Sequence, residues 1–308
     1  MHTILGAGGV IGNELTEVLL AQQQTVRSVS RKGTAIAGTE AIAADLTDAE
    51  QTANAVKGSS IVYLLVGLEY KKSVWEKWWP VVMQNTINAC KQHQAKLIFF
   101  DNVYALGKVN GAMTEDLPFE PDSMKGQIRA GITSQLLHEM NTGQLTAIVA
   151  RAADFYGPRC KTSGFNSMVA ENLKKGKTPQ CLISADNKHS YTYTADCGKA
   201  LWLLSQSETA FNQIWHLPTA HPALTEKEMI ALACEAYGVP LKYTVLSKFM
   251  IKIVGFFVPL VKEIYEMLYQ NEADYIFDSS KFEKAFNFTP TPYQAGIKTT
   301  IEYYKNKA

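Results

Sequence analysis

A glycine-rich segment near the first residue constrains the fold of this chain more than any other feature. It reads Gly6-Ala7-Gly8-Gly9-Val10-Ile11-Gly12 and directly follows the apolar run Thr3–Leu5. Its first, fourth and seventh residues fit the spacing G-x-x-G-x-x-G, whereas G-x-G-x-x-G fails because Ile11 stands where a glycine is needed. A strand, a tight glycine turn and a helix start together present backbone N–H groups to a phosphate. We therefore expect a bound dinucleotide, the alternative being a glycine-rich turn without a ligand.

Short β-branched or apolar runs alternate with helix-length segments through the first half of the chain. The candidate strands are Thr3–Leu5, Thr25–Val29, Ala41–Ala44, Ile61–Val66, Leu97–Phe100 and Thr146–Ala150. Between the last two lies the helical stripe Ile128, Ile132, Leu136, Met140. Strand and helix in succession imply right-handed crossovers and a parallel sheet with helices on both faces. The predicted fold class is α/β, a doubly wound parallel sheet (Rossmann) with a smaller, mostly helical C-terminal substrate domain.

The 308 residues suggest about two domains. The alternation ends near residue 155, so we assign 1–155 to a dinucleotide-binding domain. A strand at Gln213–Leu217 can extend the same sheet, and about 186–217 therefore rejoin that domain. The remainder, 156–185 and 218–308, forms the substrate-binding elaboration. Within it, Thr225 followed three residues later by Glu228 predicts a capped helix start.

Composition excludes several classes of function. Thirty basic and 29 acidic side chains leave a formal charge of +1, which provides no broad basic face for nucleic acid. Five cysteines without a C-x-x-C pair, and six scattered histidines, indicate reduced thiols, a cytoplasmic location and no metal site. The longest apolar run, Ile253–Val261, is shorter than the roughly 20 residues that span a bilayer. It is either a buried or partly exposed helix or a membrane-surface patch. We expect a small-molecule substrate, no membrane partner, and a monomer or homodimer.

The end of the second strand selects between the two nicotinamide dinucleotides. An NAD site usually carries Asp or Glu there to bind the ribose 2′-hydroxyl. This chain has Ser30-Arg31-Lys32 instead, and a guanidinium suits a 2′-phosphate, so NADP is favoured over NAD. The alternative is a solvated turn. Asp45 ends the third strand and is expected to accept a hydrogen bond from the adenine amino group. The alternative is a structural role as the N-cap of the next helix, for which Asp48 is also a candidate.

These features together resemble the extended and atypical short-chain dehydrogenase/reductases, a superfamily that includes the NAD-dependent epimerase/dehydratases. Besides the glycine loop, the matching positions run through most of the chain. They are Ala44-Asp45-Leu46, Tyr104 with Gly107, Glu115-Asp116-x-Pro118, Arg151, Tyr156-Gly157-Pro158-Arg159 and Tyr193-Thr194-Ala195-Asp196.

The resemblance and the pattern together imply a set of site residues. Those expected to bind the cofactor are Gly6, Gly8, Gly9, Val10, Ile11, Gly12, Ser30, Arg31, Asp45, Leu46, Leu65, Val66, Gly67, Asn102, Lys125 and Phe155. Those expected on the substrate side are Tyr104, Tyr156 and Arg159.

The catalytic positions depart from the family pattern, which is Tyr-x-x-x-Lys on one helical face with a preceding serine. Here the corresponding segment is Lys125-Gly126-Gln127-Ile128-Arg129, and Asp101-Asn102 stands in place of the usual Ser-Ser. Lys125, Arg129 and Asn102 are the catalytic candidates. Three interpretations remain open: Lys125 transfers the proton, Lys125 and Arg129 only hold the cofactor, or both are solvated charges. Whether the chain is an enzyme is therefore undecided at this point.

The leading hypothesis is an atypical short-chain dehydrogenase/reductase that binds NADP(H) and reduces or oxidises a small carbonyl or alcohol. One alternative is a non-catalytic NADP-sensing regulator similar to the NmrA-like branch. The other is an NAD-dependent sugar-nucleotide epimerase/dehydratase, against which His189-Ser190-Tyr191 replaces the family's usual Arg-Asp-Phe. Three tryptophans, Trp75, Trp78 and Trp79, precede Pro80, a residue tolerated in the first turn of a helix. We expect them at a subunit interface or beside the nicotinamide.

Overall fold

The structure is a computed structural model that describes residues 1–306. The strands are β1 (His2–Leu5), β2 (Val26–Ser30), β3 (Glu40–Ala43), β4 (Ile61–Leu64), β5 (Lys96–Asn102), β6 (Ala112–Met113), β7 (Ala147–Ala152), β8 (Asp154–Tyr156), β9 (Gln180–Leu182), β10 (Lys188–His189), β11 (Tyr191–Tyr193), β12 (Gln213–His216), β13 (Leu224–Thr225), β14 (Thr244–Leu246) and β15 (Ile276–Phe277). The α-helices are α1 (Val10–Ala21), α2 (Ala49–Val56), α3 (Lys72–His93), α4 (Met124–Asn141), α5 (Glu171–Lys174), α6 (Thr194–Gln206), α7 (Glu226–Tyr237), α8 (Lys248–Phe257), α9 (Pro259–Ile264), α10 (Ser280–Phe286) and α11 (Tyr293–Asn306).

The largest sheet has seven strands, in the order β12-β7-β5-β4-β1-β2-β3. The neighbouring strands β3 and β2, β2 and β1, β1 and β4, and β4 and β5 pair in parallel. Ile4 of β1 lies opposite Ser28 of β2 on one side and Tyr63 of β4 on the other. The position of β12 at one edge confirms that the strand near residue 213 extends the first sheet. The predicted α/β doubly wound fold is therefore confirmed.

Helices cover both faces of this sheet, as parallel strands require. On one face, side chains of α2, α3 and α4 pack with Leu5, Leu64 and Phe99 in one hydrophobic cluster. On the other, α1 and α6 approach so closely that a Cβ on Gly198 would lie 2.7 Å from the backbone of Glu14. The stripe Ile128–Met140 faces the first cluster, as its spacing predicts.

The chain divides into two compact units. The first comprises Met1–Ala105, Lys125–Arg151 and Cys197–Trp215, and the second Leu106–Met124, Ala152–Asp196 and His216–Ala308. Residues 106–124 and 186–196, which the sequence assigned to the dinucleotide-binding domain, thus group with the second unit. Their strands pair there: β6 with β15, β10 with β13, and β11 with β8.

The second unit is built from helices and small two-stranded sheets around its own core. That core contains Tyr156, Phe165, Met229, Tyr293 and Ile301 among others. The helix start predicted at Thr225 is confirmed, because the Thr225 side chain accepts from the Glu228 N–H and the Glu228 carboxylate accepts from the Thr225 N–H.

Two expectations for the tryptophan segment require correction, whereas that for the half-buried Trp78 stays a prediction. Pro80 lies well inside α3 and not in its first turn. Trp75 and Trp79 are buried in the core of the first unit, so they are not available to a subunit interface. Burial of their helical stripe offsets the cost of a proline in a helix interior. None of the helices within residues 1–306 combines the length and the apolar character that crossing a bilayer demands.

Candidate functional site

The glycine loop connects β1 to α1 at the carboxyl end of the sheet, where ligands of parallel α/β folds bind. Two of its glycines are required by close backbone contact. A Cβ on Gly6 (φ +98°) would lie 2.7 Å from the Val66 backbone, and one on Gly12 would lie 2.8 Å from Ala7. These glycines hold the loop against the neighbouring strand end and the helix.

The remaining glycines of the loop leave space in front of α1. No heavy atom lies within 4 Å of a Cβ built on Gly8, and Gly9 is the N-cap of α1 without a side chain to accept from the helix. The first turn contains no acidic residue. Its N–H groups lack partners within the helix, and their partial positive charge favours an anion. The residues present therefore fit the pyrophosphate of a dinucleotide.

An open pocket lies at the end of β2, the strand that pairs with β1 and so neighbours the glycine loop. It has a volume of about 500 Å³ and is lined by Ser30, Arg31, Lys32 and Thr34. Arg31 and Lys32 are exposed, and Ser30 Oγ accepts from the Thr34 N–H at 3.2 Å. The lining thus offers two cations and no carboxylate, the donor set that suits a phosphate monoester.

The two aspartates after β3 have separate roles. Asp48 is the N-cap of α2, where its carboxylate accepts from the Gln51 N–H at 2.9 Å and this bond lowers the pKa of Asp48. Asp45 instead closes a local turn by accepting from the N–H and hydroxyl of Thr47 through Oδ1. The cap therefore belongs to Asp48, and Asp45 remains exposed at the strand end.

Lys125 lies in the first turn of α4 and its side chain is fully buried. Its Nζ stands 4.7 Å from the centre of the Tyr70 ring, and the Tyr70 and Tyr104 hydroxyls are 3.5 Å apart. Asn102, the last residue of β5, accepts from the Tyr104 N–H at 3.1 Å. The first unit thus brings together a buried cation, two phenols and an amide at the ends of β4 and β5.

Arg129 lies one helical turn from Lys125 on the same buried face and is 3% exposed. Its guanidinium donates to Asp101 Oδ1 through Nε at 2.9 Å and through Nη2 at 2.6 Å. It also lies over the rings of Trp79 and Phe99. Neither Lys125 nor Arg129 is a solvated surface charge, and the third interpretation of this pair is wrong.

Three expected site residues fall in the second unit. Phe155 is half-buried in β8, and Arg159 is exposed in a loop with φ +66°. Tyr156 is fully buried among Phe165, Tyr193 and Tyr293, where burial raises its pKa. Its hydroxyl would lie only 2.4 Å from a Cβ on Gly296. Tyr156 is therefore a core residue of this unit and offers no surface to a substrate.

His189 also belongs to a buried polar cluster of the second unit. Its Nε2 lies 3.0 Å from Asp154 Oδ2, and the neighbouring Tyr191 hydroxyl donates to Glu226 Oε1 at 2.6 Å. Burial alone would lower the pKa of His189, but the hydrogen bond and charge of Asp154, with Glu226, outweigh it and raise that pKa. Burial raises the pKa of Glu226. The position at which the resemblance implies an arginine holds instead an imidazole engaged with a carboxylate.

No group of three or more His, Cys, Asp or Glu side chains within residues 1–306 is placed to hold a metal ion. All five cysteines are buried free thiols.

The sequence of more than half of the chain, which includes parts of both units, matches a known family. A sequence model described as the NAD dependent epimerase/dehydratase family matches residues 2–215. The chain belongs to this family. A comparison with curated proteins found no match.

Solved structures similar to this family member cover nearly the whole chain. A UDP-glucose 4-epimerase from Thermus thermophilus in complex with NAD has 18% identity and a TM-score of 0.80, covering 100% of both chains. A dTDP-glucose 4,6-dehydratase (DesIV) from Streptomyces venezuelae with NAD and DAU has 17% identity and a TM-score of 0.81, covering 99% of this chain and 97% of that one. A UDP-glucuronic acid 4-epimerase from Bacillus cereus with NAD has 16% identity and a TM-score of 0.81, covering 99% of both. At these identities the likeness establishes the fold.

Tyr70 is the residue of this family member that the sequence reading missed. It follows β4 by six residues, in a loop that carries no motif, and it pairs with Lys125 and Tyr104 across 55 and 34 positions of sequence. The available signal was its place shortly after a strand of the parallel sheet, where site residues concentrate.

Proposed function

We propose that the chain binds NADP(H) in its first unit and uses it to reduce or oxidise a small carbonyl or alcohol. The observation that carries the choice of cofactor is the end of β2, where Arg31 and Lys32 line an open pocket and no carboxylate is present. A guanidinium pairs with a phosphate through two parallel hydrogen bonds, whereas a ribose diol is usually held by Asp or Glu. Membership of the NAD dependent epimerase/dehydratase family supports the dinucleotide itself.

Each part of the cofactor has candidate contacts in the first unit. The uncapped start of α1, with Gly8 and Gly9, would hold the pyrophosphate, and Asp45 the adenine amino group. The residues Leu65, Val66 and Gly67, which follow β4, would lie beside the ribose. Bound there, the nicotinamide would supply or accept a hydride.

The proton that accompanies the hydride needs a donor from the chain. We assign it to Tyr104, whose hydroxyl lies 3.5 Å from that of Tyr70. The buried Lys125 ammonium lies over the Tyr70 ring, so it would act on the charge that develops at Tyr104 through the contact between the two phenol hydroxyls. Asn102 holds the Tyr104 backbone through its amide oxygen. In this proposal Tyr104, Lys125 and Asn102 replace the Tyr-x-x-x-Lys pair of a single helix. They lie in a short helical turn, in α4 and in β5.

Arg129 acts in this proposal as a positioning residue. Its donors are directed at Asp101 and the Phe100 carbonyl, and Thr133 donates to the second oxygen of Asp101 at 3.0 Å. The ion pair joins α4 to the end of β5, the two elements that carry Lys125 and Asn102.

A sugar nucleotide is a poorer candidate for the substrate. Family members that bind one commonly use a guanidinium to clamp the diphosphate, and His189 is instead buried and bonded to Asp154. A smaller uncharged carbonyl needs no such clamp. The buried reduced thiols support a cytoplasmic location for this reaction.

Fluorescence titration of the purified protein with NADPH and NADH tests the cofactor assignment. We expect NADPH to bind at least about tenfold more tightly, because a charge-assisted pair contributes roughly 1.5–3 kcal/mol. Arg31→Ala should weaken NADPH about tenfold to 100-fold and leave NADH unchanged. Lys57→Ala removes another exposed cation, outside this pocket, and serves as the control. Equal affinity of the wild-type protein for both dinucleotides would rule out the 2′-phosphate contact.

Turnover distinguishes the enzyme from the regulator. A panel of aldehydes and ketones is incubated with NADPH, and its oxidation is followed by absorbance, beside UDP-glucose and dTDP-glucose as sugar-nucleotide substrates. NADPH oxidation with a small carbonyl supports the proposal. Tight cofactor binding without any turnover favours a cofactor-sensing regulator, and conversion of a sugar nucleotide favours an epimerase or dehydratase.

A further inference from the structure

One segment of the second unit exposes an unusual amount of apolar surface. Every large hydrophobic side chain that is exposed within residues 1–306 lies between Val239 and Leu260. The most exposed are Phe249 at 71%, Phe256 at 78% and Phe257 at 83%. Contiguous exposed apolar patches mark interaction sites, since water solvates them poorly. We call Val239–Leu260 the apolar segment.

The exposed residues form one continuous face of α8. With 3.6 residues per turn, Phe249, Ile253, Phe256 and Phe257 fall on the side opposite Ile251 and Gly255. Ile251 and Gly255 are the buried residues of this helix. The outward side of α8, which is polar in an ordinary surface helix, is therefore its apolar side.

Helix α9 extends this face beyond the bend at Val258. Pro259 begins α9, and the helices pack so closely that a Cβ on Gly255 would lie 3.3 Å from the Lys262 backbone. Leu260 is 55% exposed, next to the phenylalanines at the end of α8. The two helices thus form a hairpin whose joint carries the most exposed aromatic side chains.

The charge around this hairpin is mostly positive. From Gly238 to Ile264 the chain contains Lys242, Lys248, Lys252 and Lys262 against a single carboxylate, Glu263 of α9, although the whole protein carries only +1. All four lysines are exposed, and Lys248 pairs with Glu272 of a later segment. On α8 the lysines occupy the stripe between its buried and its apolar side. Basic residues beside an apolar helical face are the pattern of helices that lie in an anionic membrane interface.

We infer that the α8–α9 hairpin binds the surface of an anionic lipid membrane, with Phe256 and Phe257 inserted among the acyl chains and the lysines at the headgroups. A second copy of the chain fits less well. A two-fold contact through the same face would bring the lysines of both copies together, with Glu263 as the single carboxylate that each hairpin offers to neutralise them. This binding is peripheral, and it revises the expectation from the sequence that no membrane is a partner.

Sedimentation with vesicles tests the inference on the full chain. Vesicles of phosphatidylcholine alone are compared with vesicles that also contain phosphatidylglycerol, at low and high salt. We expect co-sedimentation with the anionic vesicles, weakened by salt because the headgroup attraction is screened. Equal absence of the protein from both vesicle pellets would overturn the inference.

Two double variants separate the apolar and electrostatic parts. Phe256→Ser with Phe257→Ser should lower the partition coefficient about 100-fold, at about tenfold per phenylalanine. Lys252→Gln with Lys262→Gln should lower it about 25-fold on anionic vesicles, at about fivefold per lysine. The matched control, Lys57→Gln with Lys298→Gln, removes the same charge from exposed positions outside the α8–α9 hairpin and should retain binding.

Circular dichroism and dinucleotide titration show whether each variant is folded. Light scattering of the lipid-free protein tests whether a second copy of the chain covers the hairpin instead. A wild-type dimer that becomes monomeric on Phe256→Ser with Phe257→Ser, without vesicle binding by either protein, would assign the hairpin to a second copy and overturn the inference. Vesicle binding that the control variant loses as strongly as the hairpin lysine variant would overturn it as well.

Discussion

Lys125 is the residue whose environment bears most directly on chemistry. A fully buried ammonium loses its hydration, so its charge has to be stabilised by neighbouring groups. The Tyr70 ring at 4.7 Å provides part of this stabilisation through a cation–π contact. Packing alone does not need a charged side chain at this position. A buried ammonium does suit a reaction in which negative charge develops nearby, because it stabilises that charge.

Substitutions at Lys125 and Tyr104 separate proton handling from cofactor binding. Lys125→Met keeps most of the side-chain volume and removes the charge, and Tyr104→Phe removes only the hydroxyl. We expect each to lower kcat by about 100-fold or more, since positioned acid–base groups contribute that much. NADPH affinity should change less than about threefold for Tyr104→Phe. Steady-state kinetics and fluorescence titration measure the two quantities.

The same measurements can contradict the assignment. If Lys125→Met raises the Kd for NADPH while kcat is retained, the lysine holds the cofactor and takes no part in proton transfer. If Tyr104→Phe keeps wild-type kcat, Tyr70 becomes the candidate proton donor, and Tyr70→Phe is the matched comparison.

At the scale of elements, the glycines at the start of α1 differ in whether backbone packing requires them. Gly12 has no room for a methyl group, because the backbone of Ala7 lies 2.8 Å from the Cβ position. Gly8 has open space at the same position. The fold therefore needs Gly12, whereas Gly8 is free of any such packing demand.

This contrast predicts opposite outcomes for two alanine substitutions. Gly12→Ala should lower the free energy of unfolding by about 1–3 kcal/mol, since backbone atoms have to shift. Gly8→Ala should change it by less than about 1 kcal/mol. Chemical denaturation of both variants beside the wild-type protein measures the difference. Equal destabilisation by the two substitutions would contradict the packing described for the loop.

The ion pair between Arg129 of α4 and Asp101 of β5 connects two elements of the first unit. Arg129 and Asp101 are both almost completely buried, and Asp101 also accepts from Thr133 and lies 3.9 Å from the buried Arg151 Nε. The ion pair specifies how the helix sits on the strand, because removing Asp101 leaves the buried Arg129 guanidinium without its carboxylate. Arg129, which stands where the Tyr-x-x-x-Lys pattern expected from the sequence has its lysine, is therefore held by a buried carboxylate.

At the scale of the whole molecule, His2 links stability to pH. It lies in β1, stacked on Tyr63, and Tyr63 Oη is 3.0 Å from its Nδ1. Burial, aided by the positive N-terminus, lowers the pKa of His2 from 6.5 to about 4. Between these two pH values the unfolded chain binds more protons than the folded one. The free energy of unfolding therefore falls as the pH decreases from 6.5 towards 4.

Replacing His2 should flatten this pH dependence. His2→Gln keeps a hydrogen-bonding group and removes the titration. Between about pH 7 and pH 5 the wild-type protein should lose about 1 kcal/mol more stability than the variant, less than complete burial would give because water screens part of the ring. Urea denaturation at the two pH values measures it. His138→Gln, at an exposed position, should keep the wild-type dependence, and an identical dependence in His2→Gln would contradict this role.

Local properties of the chain were sufficient to predict the sheet, the glycine turn and the Thr225 cap. They depend on side-chain periodicity and on backbone conformation within a few residues, which the amino-acid order specifies directly. The strand ends shifted by only one or two residues, as for the strand expected at Leu97–Phe100 and found at Lys96–Asn102.

The environments of the site residues required the tertiary structure. Arg129 meets Asp101, Lys125 meets Tyr70, and Tyr156 enters a core, because distant segments bring these partners together. Pro80 continues a helix for a similar reason, since burial of Trp75 and Trp79 outweighs local propensity. The amino-acid order by itself determined the type and sequence of elements, because short-range geometry governs them. Only long-range packing decided which charges are buried, which phenols meet and which apolar helix face stays open to solvent.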